Sequence, residues 1–283
     1  QKRETEHAKK NQMSEQAYAE EIRKTYAYMA DQIQKEIDGF YAKYATKEGI
    51  SLAEAKRRVS KLDIEEYGRK AAKYVKEKDF SDQANEEMRL YNATMKINRL
   101  ELLKANIGLE MVSGFDELQK YFDLTLTQQT IEEFRRQAGI LGNSVQENGK
   151  MARAIVDASF HNATYSDRIW MYQDMLIAEL DKLLKTGLIQ GKNPRELAVH
   201  LQKRFGASRE DAERLMVTEF ARVQTEAQKQ SFLENGFDEY EYIACEKTDA
   251  CSRCKALNEK VFKVKEMMPG ENAPPMHPYC HCS

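Results

Sequence analysis

The apolar residues Ile22, Tyr26, Met29, Ile33, Ile37, Phe40 and Tyr44 recur at spacings of three or four among charged and polar neighbours. That period places them on one face, so Ser14 to Tyr44 reads as a single amphipathic helix whose stripe must be covered by something. After Gly49, Ser51 with Glu54 and Asp63 with Glu66 have the spacing of N-terminal caps and predict two shorter helices. Leu90, Ile97, Leu100, Leu103 and Ile107 predict a further long helix from about Ala84 to Met111, which Gly114 interrupts. Gly139, Gly142 and Gly149, with Asn143 and Asn148, make a loop-rich interval suited to a joint.

Beyond the joint, Ser166 is placed to cap a helix through Trp170, Leu176, Leu180 and Leu184 that stops near Gly187 or Gly191. Asn193-Pro194-Arg195-Glu196 supplies a cap, a proline at the first helical position and a glutamate at the third, the strongest helix start in the chain. Gly206 is expected to close that helix. Ser208 then opens another, carried by Ala212, Leu215, Met216, Val223 and Ala227 to Gly236. Past Gly236 the period changes to two. Tyr240, Tyr242 and Ala244 alternate with Glu241, Ile243 and Cys245, and Val261-Phe262-Lys263-Val264 gives a second short strand. Four of the five prolines fall between Pro269 and Pro278, which makes the tail an irregular loop.

The pattern predicts a mainly α chain: an elongated multi-helix body with a small C-terminal α+β Cys/His metal-binding module. Its divisions are an N-terminal helical region, 1–140, a second helical region, 141–236, and a β-rich module, 237–283. Composition narrows the function. Lys+Arg 44 against Asp+Glu 46 gives a net charge of -2, which argues against a wholly basic surface for non-specific nucleic-acid binding. A charged fraction of 32% describes a well-solvated surface, and no apolar run approaches the roughly 20 residues of a transmembrane helix. The opening residues Gln1 to Asn11 lack the apolar core of a secretory leader, and a start at Gln1 rather than Met points to processing or to a trimmed chain. Eight of the fourteen tyrosines lie between Tyr18 and Tyr91, mostly at helical core spacing beside balanced charges, so a base-stacking surface is the minority interpretation.

All five cysteines fall between Cys245 and Cys282. An odd, clustered set in a chain large enough to fold without staples points to metal rather than a disulfide framework. Cys251-Ser252-Arg253-Cys254 is a CxxC knuckle, a spacing that lets two thiolates hold one ion. His277-Pro278-Tyr279-Cys280-His281-Cys282 supplies a second pair, spaced HxxC, with another cysteine two residues on. The expected ligands are Cys251, Cys254, His277 and Cys280, with Cys282 as the alternate for Cys280, and Zn²⁺ is the usual occupant of such mixed sets. Four protein ligands close a tetrahedral site, so the metal would be structural. Free thiols, or a Cys251–Cys254 disulfide, are the competing interpretation.

Other residues carry less. His161 and His200 stand alone in helical pattern. Glu219, Arg222 and Glu226 share a helix face, for which intrahelical ion pairing is sufficient. Lys255, Lys260, Lys263 and Lys265 form a basic run best read as a solvated strand face. No Walker loop, dinucleotide-binding glycine pattern, nucleophile elbow or HExxH is present, so no catalytic constellation is expected.

Val217-Thr218-Glu219 on a helix, a downstream strand, the Cys251-Ser252-Arg253-Cys254 knuckle and the terminal Pro275-Met276-His277-Pro278-Tyr279-Cys280-His281-Cys282 together resemble the phage minor head protein family, also called head morphogenesis or Mu protein F-like. The resemblance spans about Trp170 to Ser283. Two positions depart from it: His281 stands where the family commonly has Arg, and Val217 stands where it commonly has Arg before the Thr-Glu pair. The resemblance implies a non-enzymatic minor virion component, in the capsid interior near the portal and in the cytoplasm of the bacterial host during assembly. It implies the portal protein, capsid or scaffold subunits and packaged DNA as partners, with a role in head assembly or DNA delivery. A zinc-dependent nuclease, a toxin-type enzyme and a DNA-binding zinc module are the alternatives. The apolar stripe of the first helix offers a further surface, for partner helices or self-association.

Overall fold

The structure, a computed structural model, describes residues 2–40, 68–73, 76, 81–83, 85, 99–143, 148–189, 194–244, 250–280 and 282. The helix starts expected at Ser51 and Asp63, and with them Tyr44, Leu90, Ile97 and Asn193, lie outside the described residues. The described chain is mostly helical, as its periodicity predicts. In chain order it forms α1 (Lys2–Phe40), α2 (Arg99–Leu141), α3 (Asn148–Val156), α4 (Tyr165–Ile189), α5 (Pro194–Glu234), β1 (Glu239–Glu241), α6 (Ser252–Leu257) and β2 (Val261–Lys263), followed by a 3₁₀ turn. No described helix is long and apolar enough to cross a membrane.

Five expected helix boundaries are overturned. Gly114 sits inside α2 and does not interrupt it. A Cβ at that position would lie 2.1 Å from Met29 Cγ and Sδ, so the glycine is where α1 presses against α2 rather than where α2 stops. Gly206 and Ser208 are both interior to α5, which runs uninterrupted from Pro194. A glycine ends a helix by adopting a left-handed conformation, and the glycines with positive φ are Gly142, Gly236 and Gly270, not Gly206. The Ser208 hydroxyl hydrogen-bonds with the Tyr26 hydroxyl, 3.0 Å away, instead of capping. α4 is capped by Thr164, not Ser166: the Asp167 carboxylate accepts from Thr164 N at 2.8 Å, and Asp167 N donates to Thr164 Oγ1 at 3.1 Å. Ser14 also starts nothing, since its hydroxyl donates to Lys10 O within α1.

The helices contribute to two compact units. One comprises Ile22–Gln119 and Arg168–Glu210. Here the α1 stripe is consumed within the chain: Ile22, Tyr26, Met29, Ile33, Ile37 and Phe40 are all buried. Tyr26 meets the edges of Phe115 and Phe205, at ring-centroid distances of 5.8 and 6.3 Å. The stripe therefore stabilises this unit and is not left open to a partner. α2 and α4 run antiparallel, with Lys104 paired to Asp181 and Trp170 Nε1 donating to Gln119 Oε1. Lys70 pairs with Glu36 and with the buried Glu110, 3.3 Å away.

The other unit comprises Gln1–Glu21, Lys120–Asp167 and Asp211–Ser283. Phe122, Leu126, Phe134, Leu215, Met216 and Val223 form part of its core, but a polar layer crosses it. At the centre is Glu133, with its side chain 1% exposed. Arg136 donates to it from Nε at 2.8 Å and Nη2 at 2.7 Å, Gln137 at 2.7 Å and Gln228 at 3.0 Å, and His7 Nε2 lies 3.4 Å away. Burial alone would raise this carboxyl, but the hydrogen bonds from His7, Arg136 and Gln137 and the Arg136 charge outweigh it and hold the pKa at about 2. α5 ends where the periodicity predicts. Gly236 takes φ +74, Phe237 N donates to Phe232 O at 2.9 Å, and the two phenylalanine rings meet at 6.1 Å.

Two outcomes test this packing. Gly114→Ala is expected to destabilise the chain by roughly 1–3 kcal/mol in urea unfolding, despite the better helix propensity of alanine. In a Met29→Ala background that penalty should vanish. For Glu133 the folded pKa lies below the unfolded one, so its contribution is complete above about pH 4.3 and is lost as pH falls toward 2. Acid titration of unfolding stability should show a loss on the order of 3 kcal/mol across that window, and Glu133→Gln should flatten it.

Candidate metal centre

The C-terminal residues are organised by a two-stranded antiparallel ribbon in which Glu239, Tyr240 and Glu241 face Lys263, Phe262 and Val261. The alternation seen in the sequence sets the two faces. Glu239, Glu241, Val261 and Lys263 are exposed, while Tyr240 and Phe262 pack together at 5.9 Å and Tyr242 continues inward to full burial. Tyr242 N donates to Lys260 O and Glu259 N to Tyr242 O, at 2.9 and 2.8 Å, extending the pairing beyond the strands. Lys255, Lys260, Lys263 and Lys265 are all exposed, as a solvated face requires.

The loop after β2 ties this ribbon to the helices. Asn272 Nδ2 donates to Glu266 O, its Oδ1 accepts from Met268 N, and its carbonyl accepts from the Tyr240 hydroxyl. Lys229 on α5 donates to Met267 O at 2.7 Å, and Arg253 on α6 to Gly270 O at 2.6 Å. Gly270, at φ +87, lies against the His161 ring, whose Cε1 and Nε2 would be 3.4 Å from an added Cβ. His161 is therefore not a residue of helical pattern. It occupies a tight turn with Asn162, both at positive φ, bridged by Phe160 and Ala163. His200 lies exposed on α5.

The CxxC knuckle forms the start of α6. Cys251 is its N-cap, and its sulfur accepts from Cys254 N at 3.4 Å. This local geometry turns Cys254 inward, where it is fully buried with Tyr242, Ala244, Met276 and Cys280. The two pairs separated in sequence are brought together. Cys254 Sγ lies 3.6 Å from His277 Nε2 and 3.9 Å from Cys280 Sγ. His277 Nδ1 donates to Pro278 O at 2.8 Å, which leaves Nε2 as the nitrogen with a free lone pair directed to the cluster.

The ligand atoms form two overlapping sets, Cys251, Cys254 and His277, and Cys254, Cys280 and Cys282, with the atoms of each set within 4.8 Å of one another. None of these four cysteines is in a disulfide. Either set could hold a metal ion, and Cys254 belongs to both. The spacings suit a tetrahedral centre: two sulfurs each ~2.3 Å from one ion lie about 3.8 Å apart, and such a sulfur and an imidazole nitrogen about 3.6 Å. Electrostatics point the same way. Burial pushes the Cys254 thiol up to about 12, and the adjacent Cys282 thiol together with burial raises Cys280. Thiolates in that pocket need a cation. Cys245 and His281 lie outside the described residues.

Residues 178–283 match the family model described as phage Mu protein F like protein. This C-terminal segment is similar to phage Mu protein F. The match takes in the second half of α4, all of α5 and every residue of the Cys/His cluster. It associates the chain with phage head-related proteins. No curated protein and no solved structure matches the chain.

Within the phage Mu F-like segment, Glu219 and Arg222 are more than surface ion pairing. Their side chains are 1% and 3% exposed, with Arg222 Nε 2.6 Å from Glu219 Oε2. The remaining guanidinium nitrogens donate to Ile155 O and Val156 O, at 2.9 and 3.2 Å, closing the C-terminal end of α3. Val217 is itself buried. Glu226, the third member of that face, is raised by burial against the pull of Lys229 and Arg222. The spacing of three revealed the pair but not its depth. The apolar spacing of Phe122, Leu126 and Phe134 was the available sign that α2 carries a buried face in this unit. Arg222→Ala leaves a buried carboxylate and two α3 carbonyls without their cation. A loss of roughly 3–5 kcal/mol is expected in denaturant unfolding.

Proposed function

We propose that the chain is a minor structural component of a phage or prophage head, and that its C-terminal module is closed by one structural Zn²⁺. The observation that carries this is the phage Mu F-like match, which contains the whole Cys/His cluster. Cys251, Cys254 and His277 would hold the ion, with Cys280 or Cys282 as the fourth ligand. When bound, the metal would supply a cross-link between α6 and the tail in a segment with two three-residue strands. A sphere filled by four protein ligands leaves no position for a reacting water, so the site serves stability and not hydrolysis.

In this proposal the protein acts with portal and capsid or scaffold subunits inside the head, and in assembly or in delivery of packaged DNA. Because the α1 stripe is spent internally, partner contacts fall to other surfaces. Mass spectrometry of purified particles should find the chain with portal and capsid subunits, at a copy number well below that of the major capsid protein. Absence from particles, with normal abundance in the host cell, would overturn the head assignment. Elemental analysis of the chain purified without chelator should find about one zinc per molecule, lost in Cys254→Ser together with protease resistance of 237–283. Metal-dependent cleavage of DNA that disappears on mutating His277 would replace this proposal with a nuclease.

A further inference from the structure

Tyr242 is the largest of the fully buried side chains at the centre, and its hydroxyl ends in the wrong place for an ordinary tyrosine. The hydroxyl is buried, with no hydrogen-bond partner at normal distance. Leaving a buried O–H unmade destabilises the fold, while a phenylalanine would fill the same volume without that cost. Its ring lies in one buried cluster with Cys254 and Cys280, against which Cys282 packs. All three cysteines belong to the metal-ligating sets, and Cys254 is common to both sets. The ring has little freedom to turn elsewhere, since the Tyr242 backbone is pinned on both sides by Lys260 and Glu259. Tyr240, on the same face two residues earlier, makes the contrast: its hydroxyl donates to Asn272 O at 3.1 Å, away from the sulfurs.

We propose that the Tyr242 hydroxyl is an outer hydrogen-bonding group of the metal centre, donating to the metal-bound thiolate of Cys254 or Cys282. The inference rests on the metal reading above. A neutral thiol is a weak acceptor, whereas a thiolate bound to a cation is a strong one. The hydroxyl thus acquires its partner only when the ion is bound, and the bond lowers the basicity of the sulfur. This makes Tyr242 a positioning residue that disfavours protonation and release of its thiolate. It also gives Cys282 a role when it is not a ligand: a neighbouring thiol that shares the same donor.

Tyr242→Phe in the full chain removes one oxygen and keeps the ring, with Tyr240→Phe as the comparison. Zn²⁺ affinity by chelator competition should fall roughly 10- to 100-fold in Tyr242→Phe and stay unchanged in Tyr240→Phe. In Co²⁺-loaded protein, the sulfur-to-cobalt charge-transfer band should shift to lower energy in Tyr242→Phe alone, because a thiolate without its hydrogen bond is the better electron donor. Equal affinity and an unmoved band would overturn the proposal while leaving the metal centre standing. Weaker binding with an unmoved band would also overturn it, reducing Tyr242 to packing. A wild-type chain that takes up neither ion overturns the metal centre and the role of Tyr242 with it.

Discussion

Residues that are distant in sequence meet at the sulfur of Cys254, and the C-terminal module has no comparable point of closure. Among the described residues its buried cluster is Tyr242, Ala244, Cys254, Met276 and Cys280, with Cys251, Leu257, Phe262 and Cys282 packed against it. Two three-residue strands and a six-residue helix cannot offset the entropy of ordering such a segment through apolar burial of that size. Two short-range devices aim the components inward. The N-cap geometry of Cys251 turns Cys254 into the core, and the bond from His277 Nδ1 to the Pro278 carbonyl directs Nε2 at the same sulfur. What remains is a set of soft donors at the spacing of a tetrahedral ion, for which the proposed Zn²⁺ is the natural complement.

The helices around this module use a different economy. Where α1 crosses the unit that begins at Ile22, it packs through large apolar side chains and a glycine that admits Met29. In the other unit, among the described residues, it is held by polar groups: His7 near Glu133, Asn11 donating to Gln224, and Tyr18 accepting from Gln129. The two buried carboxylates of that unit, Glu133 and Glu219, are each answered by an arginine on the same helix, three residues on. Arg222 also binds α3, so one side chain neutralises a charge and ends a helix. Lys229, about two turns further along α5, fixes the loop that follows β2. From Asp211 on, the chain is thus joined to the rest of its unit by hydrogen bonds as well as by apolar contact.

Much of this was legible in the sequence, and the failures have physical causes. The α1 stripe, the Pro194 helix start, the Gly236 stop and the change of period after it all appear as written, because each depends on local geometry. The CxxC and HxxC pairs were recognisable by spacing, and the structure brings their residues into two overlapping sets, Cys251, Cys254 and His277, and Cys254, Cys280 and Cys282. Gly114, Gly206 and Ser208 were misjudged because their residue types mark helix ends only when no tertiary partner claims them. Met29 claims the first, and Tyr26 hydrogen-bonds the last. Glu133 and Tyr242 were invisible as special positions. A buried carboxylate and a surface one read alike in a helical pattern, and a strand tyrosine gives no sign that its hydroxyl faces sulfur.

The central claim, that the Cys/His cluster is a closed structural centre, is tested most directly by zinc K-edge X-ray absorption on the purified chain. The account predicts a four-coordinate shell of mixed sulfur and imidazole nitrogen, with sulfur at about 2.3 Å and nitrogen at about 2.0–2.1 Å. A shell of oxygen and nitrogen alone, or one with a water in place of the fourth protein ligand, would contradict it.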